Sequence, residues 1–160
     1  MDRLVSLGVF ILLVVVAAAV SGQFVGGEWY QFIMIKPSWN PSAMVMASAW
    51  AVLYVLMAVS AWMVWDAMRG LARVPLAWWG LQLLMSITWS WLFFGLNRIG
   101  WALAVVSLWI PVVLIVIKTF RPIKQEASTL MMPLAAWLLF FWALNFFQWR
   151  LNGGGLESIF

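Results

Sequence analysis

The length of its apolar runs limits this chain more than any other feature. Charged residues fall almost entirely between the runs rather than inside them. A helix needs about 20 apolar residues to cross a hydrocarbon core of roughly 30 Å, and within such a helix every interior backbone group is paired by the segment itself. Positions 4–24 meet that length without a charge, through Val9-Phe10-Ile11-Leu12-Leu13-Val14-Val15-Val16. With 66% hydrophobic and only 9% charged residues, and a mean hydropathy of +1.02, the 160-residue chain has no stretch left over for a separate water-soluble domain.

Punctuation residues divide the rest. The second span is expected over 43–65 and is closed by Asp66, Arg69, Gly70 and Arg73. The third is expected over 75–96, opening at Pro75, which suits a first helical turn, and stopping at Asn97-Arg98. A fourth over 101–117 meets Lys118, Arg121, Pro122 and Lys124, and a fifth over 128–150 runs into Asn152-Gly153-Gly154-Gly155. The expected fold is therefore an all-α membrane protein, a single domain over 1–160 formed by a bundle of five transmembrane helices. Met1-Asp2-Arg3 and the small-residue run Ala17-Ala18-Ala19-Val20-Ser21-Gly22 have the outline of a signal peptide, but the apolar run is long for its core and reads as a span. The one long connection, 26–42, holds Trp29, Tyr30, Phe32, Trp39, Pro37 and Pro41, and each proline blocks helix at the residue before it.

The charges read as topology signals. The net charge of +4 comes from scattered Lys and Arg with no basic stripe, which argues against nucleic acid. Arg3, Arg69, Arg73, Lys118, Arg121 and Lys124 fall at one end of the expected bundle and Lys36, Arg98 and Arg150 at the other, a bias expected to place the N-terminus inside a bacterial cell membrane. An outer membrane is the alternative location. With no cysteine and no histidine, thiolate chemistry, sulfur-ligated metal and the usual neutral-pH base are all absent, so no metal site is expected. No span carries a charge near its middle, which argues against an ion path.

Of the 14 tryptophans, seven (Trp29, Trp39, Trp65, Trp78, Trp79, Trp101 and Trp149) fall at span ends or in loops, where an interfacial aromatic belt accounts for most of them. Trp50, Trp89 and Trp137 instead lie inside spans, where an indole N–H must find a partner. Each has an aromatic four residues on, Tyr54, Phe93 and Phe141, hence on one helix face. Three such faces either line one flat cavity or simply pack helix on helix, and periodicity alone does not choose. Ser48, Ser60, Gln82, Ser86, Thr88, Ser90, Ser107 and Asn145 are the polar groups available inside spans, for helix-to-helix bonds or for a ligand.

Taken in order, Trp29-Tyr30, Lys36-Pro37-Ser38-Trp39-Asn40-Pro41, Trp50, Leu53-Tyr54, Gln82-Leu83, Trp89-Ser90-Trp91-Leu92-Phe93-Phe94-Gly95, Pro133, Trp137 and Ala143-Leu144-Asn145 through Trp149-Arg150-Leu151-Asn152 resemble the translocator protein family, also called the tryptophan-rich sensory protein or TspO family. The resemblance covers nearly the whole chain. It implies a five-helix membrane receptor or carrier that binds tetrapyrroles, protoporphyrin IX or haem, and more weakly sterol, in a pocket closed by the first loop. It also implies a homodimer and no obligatory cofactor. On this basis the candidate ligand-binding residues are Trp29, Tyr30, Trp39, Trp50, Tyr54, Ser86, Trp89, Phe93, Leu134, Trp137, Phe141 and Asn145. Trp50 and Trp137 match the two tryptophans that some bacterial members need for light- and oxygen-dependent porphyrin breakdown, so an enzyme is the alternative function; a structural membrane protein without a small ligand is another.

Two departures bear on ligand preference. Ser86 stands where many members have Asn, and Leu134 follows Pro133 where many have Tyr. The sterol-recognition pattern reads Leu144, Phe147 and Arg150, with Phe147 in place of the expected Tyr. Haem bound by this chain would have no histidine or thiolate axial ligand.

Overall fold

The computed structural model describes residues 3–69 and 71–155, and among these it is helical with no strand. Gly70, expected to help close the second span, and Met1 and Asp2 of the expected N-terminal flank lie outside the described residues. Five α-helices follow in order: α1 (Arg3–Gly22), α2 (Ala43–Ala67), α3 (Arg73–Ser90), α4 (Ile99–Phe120) and α5 (Gln125–Leu151). Four of them, α1, α2, α4 and α5, are long and apolar enough to cross a membrane. The third is not by that measure. It is 18 residues long and carries Gln82, Ser86 and Ser90, all buried, and a single π-helical turn, Trp91–Gly95, completes the stretch expected as one span.

The helices pack in a closed ring in the order α1, α2, α5, α4, α3 and back to α1. Polar side chains bind neighbours together across the ring. Ser60 Oγ donates to the Ala127 carbonyl at 2.7 Å, joining α2 to α5, and Ser128 Oγ donates to the Ile117 carbonyl at 2.9 Å, joining α5 to α4. Ser90 Oγ donates to the Ser21 carbonyl at 2.7 Å, tying the end of α3 to the end of α1. Inside hydrocarbon such bonds contribute about 0.6–2 kcal/mol each. Trp79 does not join the aromatic belt expected of it: it is buried, and its indole N–H reaches the Met57 carbonyl on α2 at 3.1 Å.

The two ends of the ring differ. At one end α1 begins, α2 ends and Arg3 grips the Asp66 carboxylate through both Nε, at 3.0 Å, and a terminal nitrogen. Phe10 joins α1 to both its neighbours by edge contacts to Trp65 of α2 and Trp79 of α3, at 6.1 and 5.5 Å between centroids. At the other end α2 begins with Ser42 as its N-cap, accepting from the Val45 N–H at 3.3 Å. Here the chain turns from the π-turn into α4 through Asn97 in the left-handed region, φ 57°, which asparagine tolerates. The connection 26–42 also lies at this end, and it opens with a second π-turn, Trp29–Ile33.

Candidate functional site

Beneath that connection lies a half-open cavity of about 1180 Å³. Its walls come from the last turns of α1 (Ala18, Ser21, Gly22), the first half of α2 (Met46, Ala47, Trp50, Ala51, Tyr54), the end of α3 (Ser86, Trp89, Ser90), Phe94 of the π-turn and Trp109 of α4. The connection supplies the roof with Tyr30, Gln31, Phe32, Lys36, Asn40 and Pro41. Lys36 is the one charged side chain in this lining.

The aromatic walls are rigidly stacked. Trp50 lies nearly parallel to Trp109, with centroids 5.8 Å apart and planes 16° apart, while Phe141 meets Trp50 edge-on at 5.4 Å and Trp89 at 4.5 Å. Phe93 stacks under Trp89 at 4.9 Å. Each indole that reaches the cavity from α3 or α4 is fixed by a buried amide: Trp89 Nε1 donates to Asn145 Oδ1 at 3.1 Å and Trp109 Nε1 to Gln82 Oε1 at 3.3 Å. A more polar strip faces them, where the Tyr54 hydroxyl donates to Ser86 Oγ at 3.4 Å and Ser86 Oγ donates to the Leu83 carbonyl at 2.7 Å.

In the roof Tyr30 is held from several sides. Lys36 Nζ sits 4.2 Å from its ring centroid, the ring meets Phe94 edge-on at 5.1 Å, and its hydroxyl accepts from Asn40 Nδ2 at 3.4 Å. The roof in turn is tied to the C-terminal turns of α5. Gln148 Nε2 donates to Asn40 Oδ1 at 3.0 Å, and the Asn152 amide pairs with both backbone groups of Ile35, accepting from its N–H at 3.0 Å and donating to its carbonyl at 2.8 Å.

Of the residues expected at a ligand site, the structure brings Tyr30, Trp50, Tyr54, Ser86 and Trp89 together around the cavity. Phe93, Phe141 and Asn145 stand one layer behind, bracing the lining tryptophans, and Leu134 is buried in the core away from it. Trp29 packs on Phe93 at 6.0 Å, and Trp39 lies half-exposed against Phe140 and Phe147 on the outer side of α5. Trp137 is in neither place. It faces a shallow groove between α2 and α5 with Ser48, Val52, Leu56, Pro133 and Ala136, and its indole nitrogen is buried without a partner. Trp50 and Val52 are two residues apart on α2, about 200° around a helix, so the two hollows open on opposite faces of α2. One cavity shared by Trp50 and Trp137 does not form. The sterol-like pattern is also split, with Leu144 buried and Phe147 and Arg150 exposed.

Trp109, fully buried in the middle of α4, is the main cavity residue not expected from sequence. It has no aromatic four residues on, and only its mid-span position distinguishes it. Gln148 and Asn152 carry a fainter mark, since with Asn145 they repeat at i, i+3 and i+7 along one face of an otherwise apolar helix.

A ring of apolar helices around a roofed aromatic cavity, four of the helices long and apolar enough to cross a membrane, defines an integral membrane protein. The sequence matches the TspO/MBR family over residues 10–150, and the chain belongs to that family. It is similar to the protein CrtK of Rhodobacter capsulatus, 37% identical with 86% of this chain and 87% of that one covered. It is also similar to the human translocator protein, at 34% identity over 84% of this chain and 83% of the other. The tryptophan-rich sensory protein of Cereibacter sphaeroides is 35% identical, with 82% and 81% covered.

Proposed function

We propose that this protein is a membrane receptor or carrier for a flat tetrapyrrole such as protoporphyrin IX or haem, which it holds in the roofed cavity. The cavity itself is the observation that carries this reading. Ligand sites usually span about 300–1,000 Å³, so a space of about 1180 Å³ suits a macrocycle rather than a small metabolite. Its walls offer the Trp50 indole, backed by the buried Trp109, together with Trp89 and Phe94 to an aromatic ligand, and Lys36 at the rim is the complement of an acidic substituent.

In this reading α3 and its π-turn make the fifth crossing. They begin at the end where Arg3 meets Asp66 and finish where Ser90 meets Ser21, so they run between the same two levels as α1. The charge bias then puts the Arg3 end in the cytoplasm and the roofed end on the far side. Joint oxidation of a porphyrin by Trp50 and Trp137 draws no support from the geometry, because Trp137 lies outside the cavity.

Protoporphyrin IX titrated into the detergent-solubilised protein should quench tryptophan fluorescence saturably at micromolar concentration. Trp50→Ala should weaken that binding about tenfold or more, through the loss of a stacking face, while Trp137→Phe leaves it unchanged. No saturable quenching would return the chain to a structural role. Equal effects of the two substitutions would place the ligand elsewhere. Following porphyrin absorbance in air under light and in darkness separates binding from turnover.

A further inference from the structure

The roof is not simply a loop lying over the mouth, because a row of buried amides on α5 holds it down. Asn145, Gln148 and Asn152 lie on one face of the last turns of α5 and are 0%, 2% and 4% exposed. Buried amides in an apolar helix are costly unless bonded, and each of these is bonded to a different part of the site. Asn145 accepts from Trp89 in the wall, Gln148 donates to Asn40 in the roof, and Asn152 takes both backbone groups of Ile35. A second Asn152 Nδ2 bond, to the Gln148 carbonyl at 2.7 Å, links the two roof contacts.

We propose that Gln148 and Asn152 are the latch of the roof: positioning residues that hold 26–42 closed and set how fast a ligand leaves, without touching it. This rests on the reading of the cavity as a ligand site. Asn152 imitates a peptide unit, offering one acceptor and one donor to Ile35 in the manner of a paired strand. Gln148 acts one step further in, because the Asn40 side chain it binds also donates to the Tyr30 hydroxyl above the cavity. Breaking the latch therefore releases Ile35 and loosens the Asn40 side of Tyr30, which Lys36 and Phe94 still hold. The Trp89 side of the cavity wall and the roof are thus bonded to one face of the same helix end.

The experiment is amide hydrogen exchange of the full chain in detergent without ligand, alongside protoporphyrin dissociation followed by fluorescence. Asn152→Asp keeps the shape of the side chain but sets an anionic oxygen against the Ile35 carbonyl. Gln148→Leu removes the second bond, and Asn40→Ala breaks it from the roof side without altering any helix. Ser107→Ala, which removes the acceptor of Trp142 and the hydroxyl's own bond to the Leu103 carbonyl, both on the exposed side of α4 and away from the roof, is the control. Each latch variant should exchange amides in 30–40 about tenfold faster than wild type, with the helices unchanged, and should release porphyrin faster by a similar factor. Unchanged exchange at 30–40 in Asn152→Asp and Asn40→Ala overturns the latch whatever the ligand does. Faster exchange with unchanged porphyrin release overturns the latch as the control of ligand exit, whereas a lack of saturable porphyrin binding by the wild type overturns the cavity reading instead. If Asn152→Asp or Gln148→Leu does not fold, Asn40→Ala alone decides.

Discussion

Trp109→Ala is expected to lower the stability of the bundle by about 3–5 kcal/mol, the usual cost of emptying a fully buried tryptophan site. Trp109 has no exposure, stacks on Trp50 and donates to Gln82, and Gln82 is itself fully buried with its amide nitrogen 3.1 Å from the Met57 sulfur. Truncation leaves Gln82 Oε1 without its Trp109 donor in an apolar interior and joins the vacated space to the cavity, so neither neighbouring helix can close over it without losing other contacts. Thermal unfolding in detergent should show a fall of order 10 °C. Trp109→Phe keeps most of the volume and should lose about 1–2 kcal/mol, chiefly for the orphaned acceptor. An unchanged midpoint for Trp109→Ala would mean that α3 and α4 are held together elsewhere, and the floor of the cavity would have to be redrawn.

Trp109 also marks where sequence stops being informative. The four long spans are legible because hydrocarbon sets their length and charges stop them, and both signals are local. The third is fainter in composition because it is the wall that faces inward: Gln82, Ser86 and Ser90 lower its hydropathy while serving the interior. Helical spacing rightly puts Trp50 and Tyr54 on one face, and both line the cavity. The same spacing misleads for Trp137 and Phe141. They are one turn apart on α5, yet Phe141 packs between Trp50 and Trp89 while Trp137 faces the outer groove. Which side of a helix meets a cavity is decided by its neighbours in the ring, and no local pattern records that. The latch is less legible still, since Gln148 and Asn152 find their partners 108 and 117 residues away in sequence.

Tyr30→Ala is expected to weaken porphyrin binding by about 1–3 kcal/mol, with nearly all of the change in the off-rate. The ring is the largest apolar surface that the roof turns into the cavity while being held in place. Lys36 lies over it, Phe94 meets its edge and Asn40 bonds its hydroxyl, so the closed roof presents it at little further cost in entropy. Removing it takes away one face of the enclosure and leaves Lys36 without its aromatic support. Tyr30→Phe, which keeps the ring and drops only the long 3.4 Å bond to Asn40, should stay within about threefold of wild type. Lys36→Ala tests the charge separately. If a ligand carboxylate meets Lys36, its loss should weaken protoporphyrin more than a porphyrin esterified at the propionates, and the difference should shrink as salt rises. Dissociation measured by tryptophan fluorescence for the three variants settles the role of the roof. Identical off-rates for wild type and Tyr30→Ala would mean that the ligand leaves by a path the roof does not guard.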